Sequence, residues 1–223
     1  MTTWIIATGN LHKVREFEEI LGPLGIGFVR PADIGTALDI EEWGETFAEN
    51  AVIKALAWAQ HTQRVCAADD SGLEVRALDW GPGVYSARYA GPACDDEANN
   101  AKLLRTLETT EGPGRDARYR CVIALARPLG SAEESALPAR EIVGFGANDA
   151  GVIEGVEVRT FDGACGGRIG RDARGTEGFG YDPFFETSDG RHMAELTPDE
   201  KHAISHRGVA LRKAAAHLAR PTE

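Results

Sequence analysis

Apolar positions along the chain change their period several times, and each change marks an element. Trp4-Ile5-Ile6-Ala7 is a short continuous apolar run, the pattern of a strand buried on both faces, and Thr8-Gly9-Asn10 ends it. Val14, Phe17, Ile20 and Leu21 then recur at helical spacing until Gly22-Pro23 closes the run. Thr46-Phe-Ala-Glu49 has capping-box spacing, and the helix behind it carries Ala51, Ala55, Leu56 and Ala59 and ends before Arg64. Val65 to Ala68 predicts a buried strand that runs into Asp69-Asp70-Ser71-Gly72. A helix over 95–109 puts Ala98, Leu103, Leu104 and Leu107 on its apolar side, and Tyr119 to Ala126 is the clearest strand. Residues 141–145 and 152–161 supply further strand-like segments.

The breaks between these runs are as informative as the runs. Pro128 to Arg140, rich in Ser, Ala, Glu and Pro, predicts an exposed loop, and the six glycines of 163–178 predict a mobile one. Thr197-Pro198-Asp199-Glu200 is a second capped helix start, with a helical pattern behind it to about Leu218. Neither an internal repeat nor a linker divides the chain. The expectation is one mixed α/β domain over residues 1–223, with a central mixed sheet, flanking helices and two lobes around a cleft.

Charge and cysteine usage narrow the function classes. A net charge of −11 argues against a general nucleic-acid binder, whose affinity rests on surplus Lys and Arg, yet leaves room for a small anion held by a few local cations. The start of the chain lacks a signal-peptide pattern, and no window approaches a membrane span. Cys66, Cys94, Cys121 and Cys165 are widely spaced and form no C-x-x-C, which fits reduced thiols and a cytoplasmic protein.

Five segments could carry chemistry, and each has a plainer reading beside it. Thr8-Gly9-Asn10-Leu11-His12-Lys13 joins a strand to a helix, where unpaired N–H groups, the helix dipole and Lys13 favour an anion. It lacks the P-loop pattern and equally suits an ordinary turn with Lys13 in solvent. Asp69-Asp70 could bind a metal at a strand end, with strand alternation letting only one acid reach it, or both could cap a turn. Glu41-Glu42 could add a second metal carboxylate or lie on a solvated face. Gly178-Phe179-Gly180-Tyr181-Asp182-Pro183 could stack and edge-bond a base, or plug the core with its rings. Lys201, Ser205, His206 and Arg207 fall at i, i+4, i+5 and i+6, so some share one side of a helix, which suits phosphate or a scattered basic surface.

In chain order these segments resemble the inosine triphosphate pyrophosphatase family, the XTP/dITP diphosphatases that clear non-canonical purine nucleotides. The resemblance rests on Ala7-Thr-Gly-Asn10 with Lys13 and Glu16, and on Thr46-Phe47 with Glu49-Asn50-Ala51 and Lys54. Asp69-Asp-Ser-Gly-Leu73, Pro82-Gly-Val-Tyr-Ser-Ala-Arg-Tyr89, Gly178-Phe-Gly-Tyr-Asp-Pro183 and Ile204-Ser-His-Arg-Gly208 complete it. It implies an elongated α/β fold with a central cleft, a homodimer, and Mg²⁺-dependent hydrolysis of ITP, dITP and XTP to the monophosphate and pyrophosphate. Carried over by position, Thr8, Gly9, Asn10, Leu11, His12 and Lys13 bind the triphosphate, with Lys54 a further phosphate candidate. Asp70 is the proton acceptor and a metal ligand, Glu41 the second metal carboxylate, and Ser71 touches substrate. Phe179, Gly180, Tyr181 and Asp182 hold the base, while Lys201, His206 and Arg207 contact base and phosphate. The rival readings are a pyrophosphatase for modified pyrimidine nucleotides and a nucleotide-binding regulatory module without catalysis.

Overall fold

The structure, a computed structural model, describes residues 2–130 and 144–220. Its strands are β1 (Thr2–Ile6), β2 (Ile26–Val29), β3 (Cys66–Val75), β4 (Asp116–Pro128), β5 (Ala150–Ile153), β6 (Val156–Ile169) and β7 (Phe185–Thr187). Its α-helices are α1 (Leu11–Leu21), α2 (Phe47–Thr62), α3 (Asp96–Thr106), α4 (Pro198–Ile204) and α5 (His206–Leu218). The strands form one mixed sheet in the order β2-β1-β3-β4-β6-β5, with β7 paired to β6. Parallel pairing holds β1 against β2 and β3, and antiparallel pairing joins β6 to β5 and to β7. The α/β class with a central mixed sheet and flanking helices is therefore as expected.

The chain divides into two compact units, Met1–Asp70 with Cys121–Asp162 and Ala210–Glu223, and Ser71–Arg120 with Gly163–Val209. Each has its own apolar core. Trp4, Ile6, Phe17, Leu21, Ile123 and Leu211 are central to the first, and Leu73, Leu103, Leu107, Tyr119, Ile169 and Phe185 to the second. Strand β4 contributes to both: Ala117 and Tyr119, in its first half, belong to the second core, while Cys121, Ile123 and Leu125, further along, belong to the first.

Several elements depart from the sequence expectation for identifiable reasons. Strand β3 does not stop at Asp69 but continues through both acids to Val75, because each acid finds a partner that allows its burial. Ala98 lies on the exposed side of α3. The stretch 152–161 is a hairpin, β5 and β6, turned at Glu154-Gly155, both with positive φ. The 141–145 segment lies mostly outside the described residues, as does most of Pro128–Arg140, and the described Gly144 and Phe145 are not in a strand. Strands β2 and β7 received no sequence expectation, since Ile26–Val29 and Phe185–Thr187 are too short to show a period.

The glycine-rich stretch is not simply a loop: β6 runs to Ile169 and holds Gly163, Gly166 and Gly167. At Gly167, a Cβ would fall 2.3 Å from the Glu186 carbonyl and 2.7 Å from the Phe185 ring. The missing side chain lets β7 pair at Gly167↔Thr187 and serves packing. At Gly166 a Cβ would meet nothing within 4 Å. Gly167→Ala is accordingly expected to cost about 1–3 kcal/mol in denaturant unfolding, and Gly166→Ala under about 0.5 kcal/mol. Equal, small costs at both positions would return the segment to the category of permissive loop.

Candidate active site

The turn after β1 is built by Asn10. Its Oδ1 accepts from the His12 N–H at 2.9 Å, capping α1, while its own N–H donates to Thr8 Oγ1 at 3.1 Å. Gly9 is exposed, and a Cβ there would meet nothing within 4 Å, so neither packing nor backbone strain demands glycine. A bare backbone that internal contacts do not require suits close approach by a ligand. Thr8 and Gly9 also border a cavity of about 310 Å³, walled in part by Arg30, Pro31, Leu38 and Trp58, which the sequence reading did not anticipate.

Lys13, one turn into α1, is not a solvent lysine: its Nζ lies 2.9 Å from Asp69 Oδ2, and the Asp69 side chain is 1% exposed. The next acid is served from a different helix. Lys54 of α2 lies 3.5 Å from Asp70 Oδ1 and 2.9 Å from Glu42 Oε2. Strand alternation thus sends Asp69 to Lys13 and Asp70 to Lys54. Both acids lie inside β3 and not in a turn, which corrects that alternative.

One further residue, missed from sequence as a site residue, holds Asp70, and a glycine holds that residue in turn. Asn50 donates from Nδ2 to Asp70 Oδ2 at 3.3 Å and accepts from the Gly44 N–H on its Oδ1 at 2.8 Å. A Cβ on Gly44 would lie 2.7 Å from that same Oδ1, so the glycine lets the segment bearing Glu41 and Glu42 close onto α2. Glu42 takes Lys54, and Glu41 is exposed. The α2 start is fixed by the expected capping box, Thr46 Oγ1 accepting from the Glu49 N–H and Glu49 Oε2 from the Thr46 N–H.

The electrostatics single out Asp70. Burial pushes its carboxyl above the usual range; Lys54 and Lys13 pull it down, while Glu42 and Asp69 push it up, and the net shift is upward. Burial also works against the charge on Lys54, but Asp70, Glu42 and Asp69 outweigh it and raise the ammonium's pKa. A carboxylate short of compensation beside a firmly charged lysine can take a proton from water.

The second unit assembles a different cluster. Asp182 is buried, with Oδ2 accepting from Lys201 Nζ at 2.6 Å and the Phe179 N–H at 3.0 Å, and Oδ1 from the Tyr119 hydroxyl at 3.1 Å. Lys201 also sits over the Phe179 ring, 5.1 Å from its centroid. Gly178 has φ +82°, and a Cβ there would fall 2.1 Å from Asp182 Oδ2, so this glycine is required on two counts. Two α3 residues missed from sequence clamp Gly180: Asp96 accepts its N–H at 2.8 Å, and Asn100 donates to its carbonyl at 2.9 Å. Tyr181 is buried, its hydroxyl donating to the Ser86 carbonyl at 2.7 Å, while Ser86 Oγ accepts the Leu73 N–H of β3 at 2.8 Å. The Gly83–Arg88 segment is thereby tied to the strand that bears Ser71.

The final helical region is broken, not continuous. Ser205, at φ −64° and ψ 150°, ends α4, and its Oγ accepts the Gly208 N–H at 3.0 Å in the first turn of α5. A Cβ on Gly208 would sit 2.2 Å from the His202 carbonyl, so the corner needs glycine. Lys201 therefore lies on α4 while His206 and Arg207 open α5, correcting the shared helix side. Arg207 is 2% exposed and donates from Nη2 to Ser71 Oγ at 3.0 Å. His206 is buried and stacks on Tyr119, with ring centroids 4.8 Å apart and planes at 18°.

Residues 4–217 match the model of the Ham1 family. A dITP/XTP pyrophosphatase of Desulforamulus reducens is 44% identical over 211 residues, covering 94% of this chain and 92% of that protein. One from Bacillus subtilis is 44% identical over 210 residues, covering 94% and 93%. Among solved structures, a HAM1 protein from Coxiella burnetii superposes with a TM-score of 0.78 at 38% identity, covering 98% of each chain. The Staphylococcus aureus Ham1 protein does so at 0.77 and 35%, covering 97% and 98%. With family match, identity and fold in agreement over nearly the whole length, this chain belongs to the Ham1 family.

Proposed function

We propose that the chain is a nucleoside triphosphate pyrophosphatase acting on dITP, XTP and ITP. The observation that carries this reading is Asp70, a buried carboxyl held above its usual range beside Lys54, in a chain 44% identical to dITP/XTP pyrophosphatases. Water adds across the α–β anhydride, Asp70 takes its proton, and pyrophosphate leaves with the bridging oxygen. Thr8 to Lys13 and Lys54 take the phosphates, the backbone at Gly9 allowing close approach. Phe179 offers a ring face to the purine, and Lys201, His206 and Arg207 offer donors to its keto edge and to phosphate. A site organised around donors to a 6-keto group disfavours the 6-amino purine of ATP, which would leave a donor unpaired.

Magnesium fits the donors at hand. Asp70 and Glu41 offer hard carboxylate oxygens, and the Asn50–Gly44 link ties the Glu41 segment to Asp70. Among the described residues no group of three or more His, Cys, Asp or Glu forms a cage. One or two carboxylates completed by water and substrate phosphate is the usual magnesium arrangement. When bound, the ion supplies neutralisation of phosphate charge. We also propose that the protein acts in the cytoplasm as a homodimer on free nucleotides; no helix among the described residues is long and apolar enough to cross a membrane.

Pyrophosphate release is expected from dITP, XTP and ITP with Mg²⁺, with kcat/KM at least about 100-fold above that for ATP and GTP, and loss of activity in chelator. Release without a purine preference, or fastest with dUTP, would favour the pyrimidine reading; binding with no release would favour the regulatory module. Asp70→Asn should lower kcat by about 100- to 10,000-fold.

The same substitution should raise stability. Because ionising Asp70 opposes folding, the variant's midpoint of thermal unfolding should exceed the wild-type value at pH 7–8. The gap should close as pH falls to about 4, where the wild-type carboxyl becomes protonated in the unfolded chain as well. A variant less stable than wild type at pH 7.5 would contradict the assigned electrostatics.

A further inference from the structure

Tyr119 has a phenol where its packing asks only for a ring. It sits in β4 within the second unit's core, tilted against Phe185 at a centroid distance of 4.5 Å, and a phenylalanine would occupy the same volume. Yet its hydroxyl donates to Asp182 Oδ1 at 3.1 Å, and its opposite contact is the stacked ring of His206. The other oxygen of that carboxylate holds Lys201 Nζ and the Phe179 N–H. Phe179, Asp182, Lys201 and His206, the groups assigned above to the purine, therefore converge on one side chain. Burial and the neighbouring Asp182 raise the Tyr119 pKa well above the usual phenol value, so the hydroxyl keeps its proton and remains a donor.

We propose that Tyr119 is a positioning residue for the base end of the substrate, its hydroxyl setting the rotation of the Asp182 carboxylate and its ring setting the plane of His206. A carboxylate held from both oxygens cannot turn about its last torsion. Lys201 and the Phe179 backbone, both bound to Oδ2, then stand where the purine edge and face are met. Without the hydroxyl, Oδ1 loses a buried donor and the carboxylate can rotate, carrying Lys201 with it. The inference rests on the pyrophosphatase reading, which it extends to how the base is selected.

The test uses the full chain, Tyr119→Phe and Tyr119→Leu. Binding of inosine 5′-monophosphate and of pyrophosphate is measured by calorimetry, alongside steady-state hydrolysis of ITP and GTP. Tyr119→Phe keeps both ring contacts and is expected to bind inosine monophosphate about ten-fold more weakly, the usual effect of losing one hydrogen bond to a charged group. Pyrophosphate affinity should stay within about two-fold, the KM for ITP should rise more than kcat falls, and the ITP-over-GTP preference should shrink. Tyr119→Leu, which also loses the His206 stack, should weaken monophosphate binding further.

Unchanged monophosphate affinity in Tyr119→Phe, a parallel loss of both ligands, or no saturable monophosphate binding by the wild type would overturn the proposal. Failure of the wild type to release pyrophosphate from any nucleotide would instead sink the pyrophosphatase reading. The monophosphate and pyrophosphate titrations would still decide the role of Tyr119.

Discussion

Burying two consecutive carboxylates in the middle of a sheet is the constraint around which this chain is organised. A desolvated carboxylate carries a penalty of several kcal/mol unless a cation or hydrogen bonds offset it. Because neighbouring strand residues face opposite ways, Asp69 and Asp70 cannot share one cation at full strength. Each requires its own helix: α1 brings Lys13 to Asp69, and α2 brings Lys54 to Asp70. The capping groups at Asn10 and Thr46 thereby acquire a role beyond helix stability, since they fix where each helix begins and so where each lysine falls. Compensation is unequal. Asp69 has its ammonium at 2.9 Å, whereas Asp70 shares a more distant one with Glu42 and ends with its carboxyl pulled upward. That imbalance is stability given up at the position proposed to move a proton.

In the second unit the constraint is space instead of charge. Gly178 and Gly208 each stand where a single carbon would collide, with a carboxylate oxygen in one case and a carbonyl in the other. Neither glycine marks flexibility. Gly178 lets the backbone fold tightly over Asp182, and Gly208 lets α5 start against the end of α4, which delivers His206 to Tyr119 and Arg207 to Ser71. Substituting either would displace groups far larger than a methyl.

How much of this could be read in the sequence depended on whether the signal was local. Both capping boxes, the first helix and β4 were legible because their patterns are contained within a few residues of chain. The break at Ser205 was not: the apolar spacing from Thr197 to Leu218 is compatible with one helix, and the corner rests on the extended backbone of Ser205, its Oγ accepting the Gly208 N–H, and the room left by the missing Gly208 side chain. Gly167 of β6 was misjudged for the same reason, its purpose lying in β7, some twenty residues away. Among the candidate site residues, Asp70, Lys13 and Lys54 were named through motif resemblance, but Asn50, Asp96, Asn100 and Tyr119 were not. Each of these acts on a partner at least twenty residues away in the chain, and nothing in its own neighbourhood announces the contact.

The two acids assigned to the site show how environment, not residue type, sets the role. Asp182 and Asp70 are both buried aspartates within reach of a lysine. Asp182 accepts from an ammonium at 2.6 Å, a backbone N–H and a phenol, so both oxygens are committed to internal donors. A carboxylate used this fully has little capacity left for a purine edge, and its work is to hold Lys201 and the Phe179 backbone in place. Asp70 has an amide at 3.3 Å and an ammonium at 3.5 Å, both at the weak end of such contacts. Its unspent basicity is what a water-activating group needs, and a divalent cation or a phosphate-bound water would meet oxygens not already saturated. Donor count therefore separates the two aspartates: Asp182 holds its neighbours in place, and Asp70 keeps the oxygens that the proposed proton transfer requires.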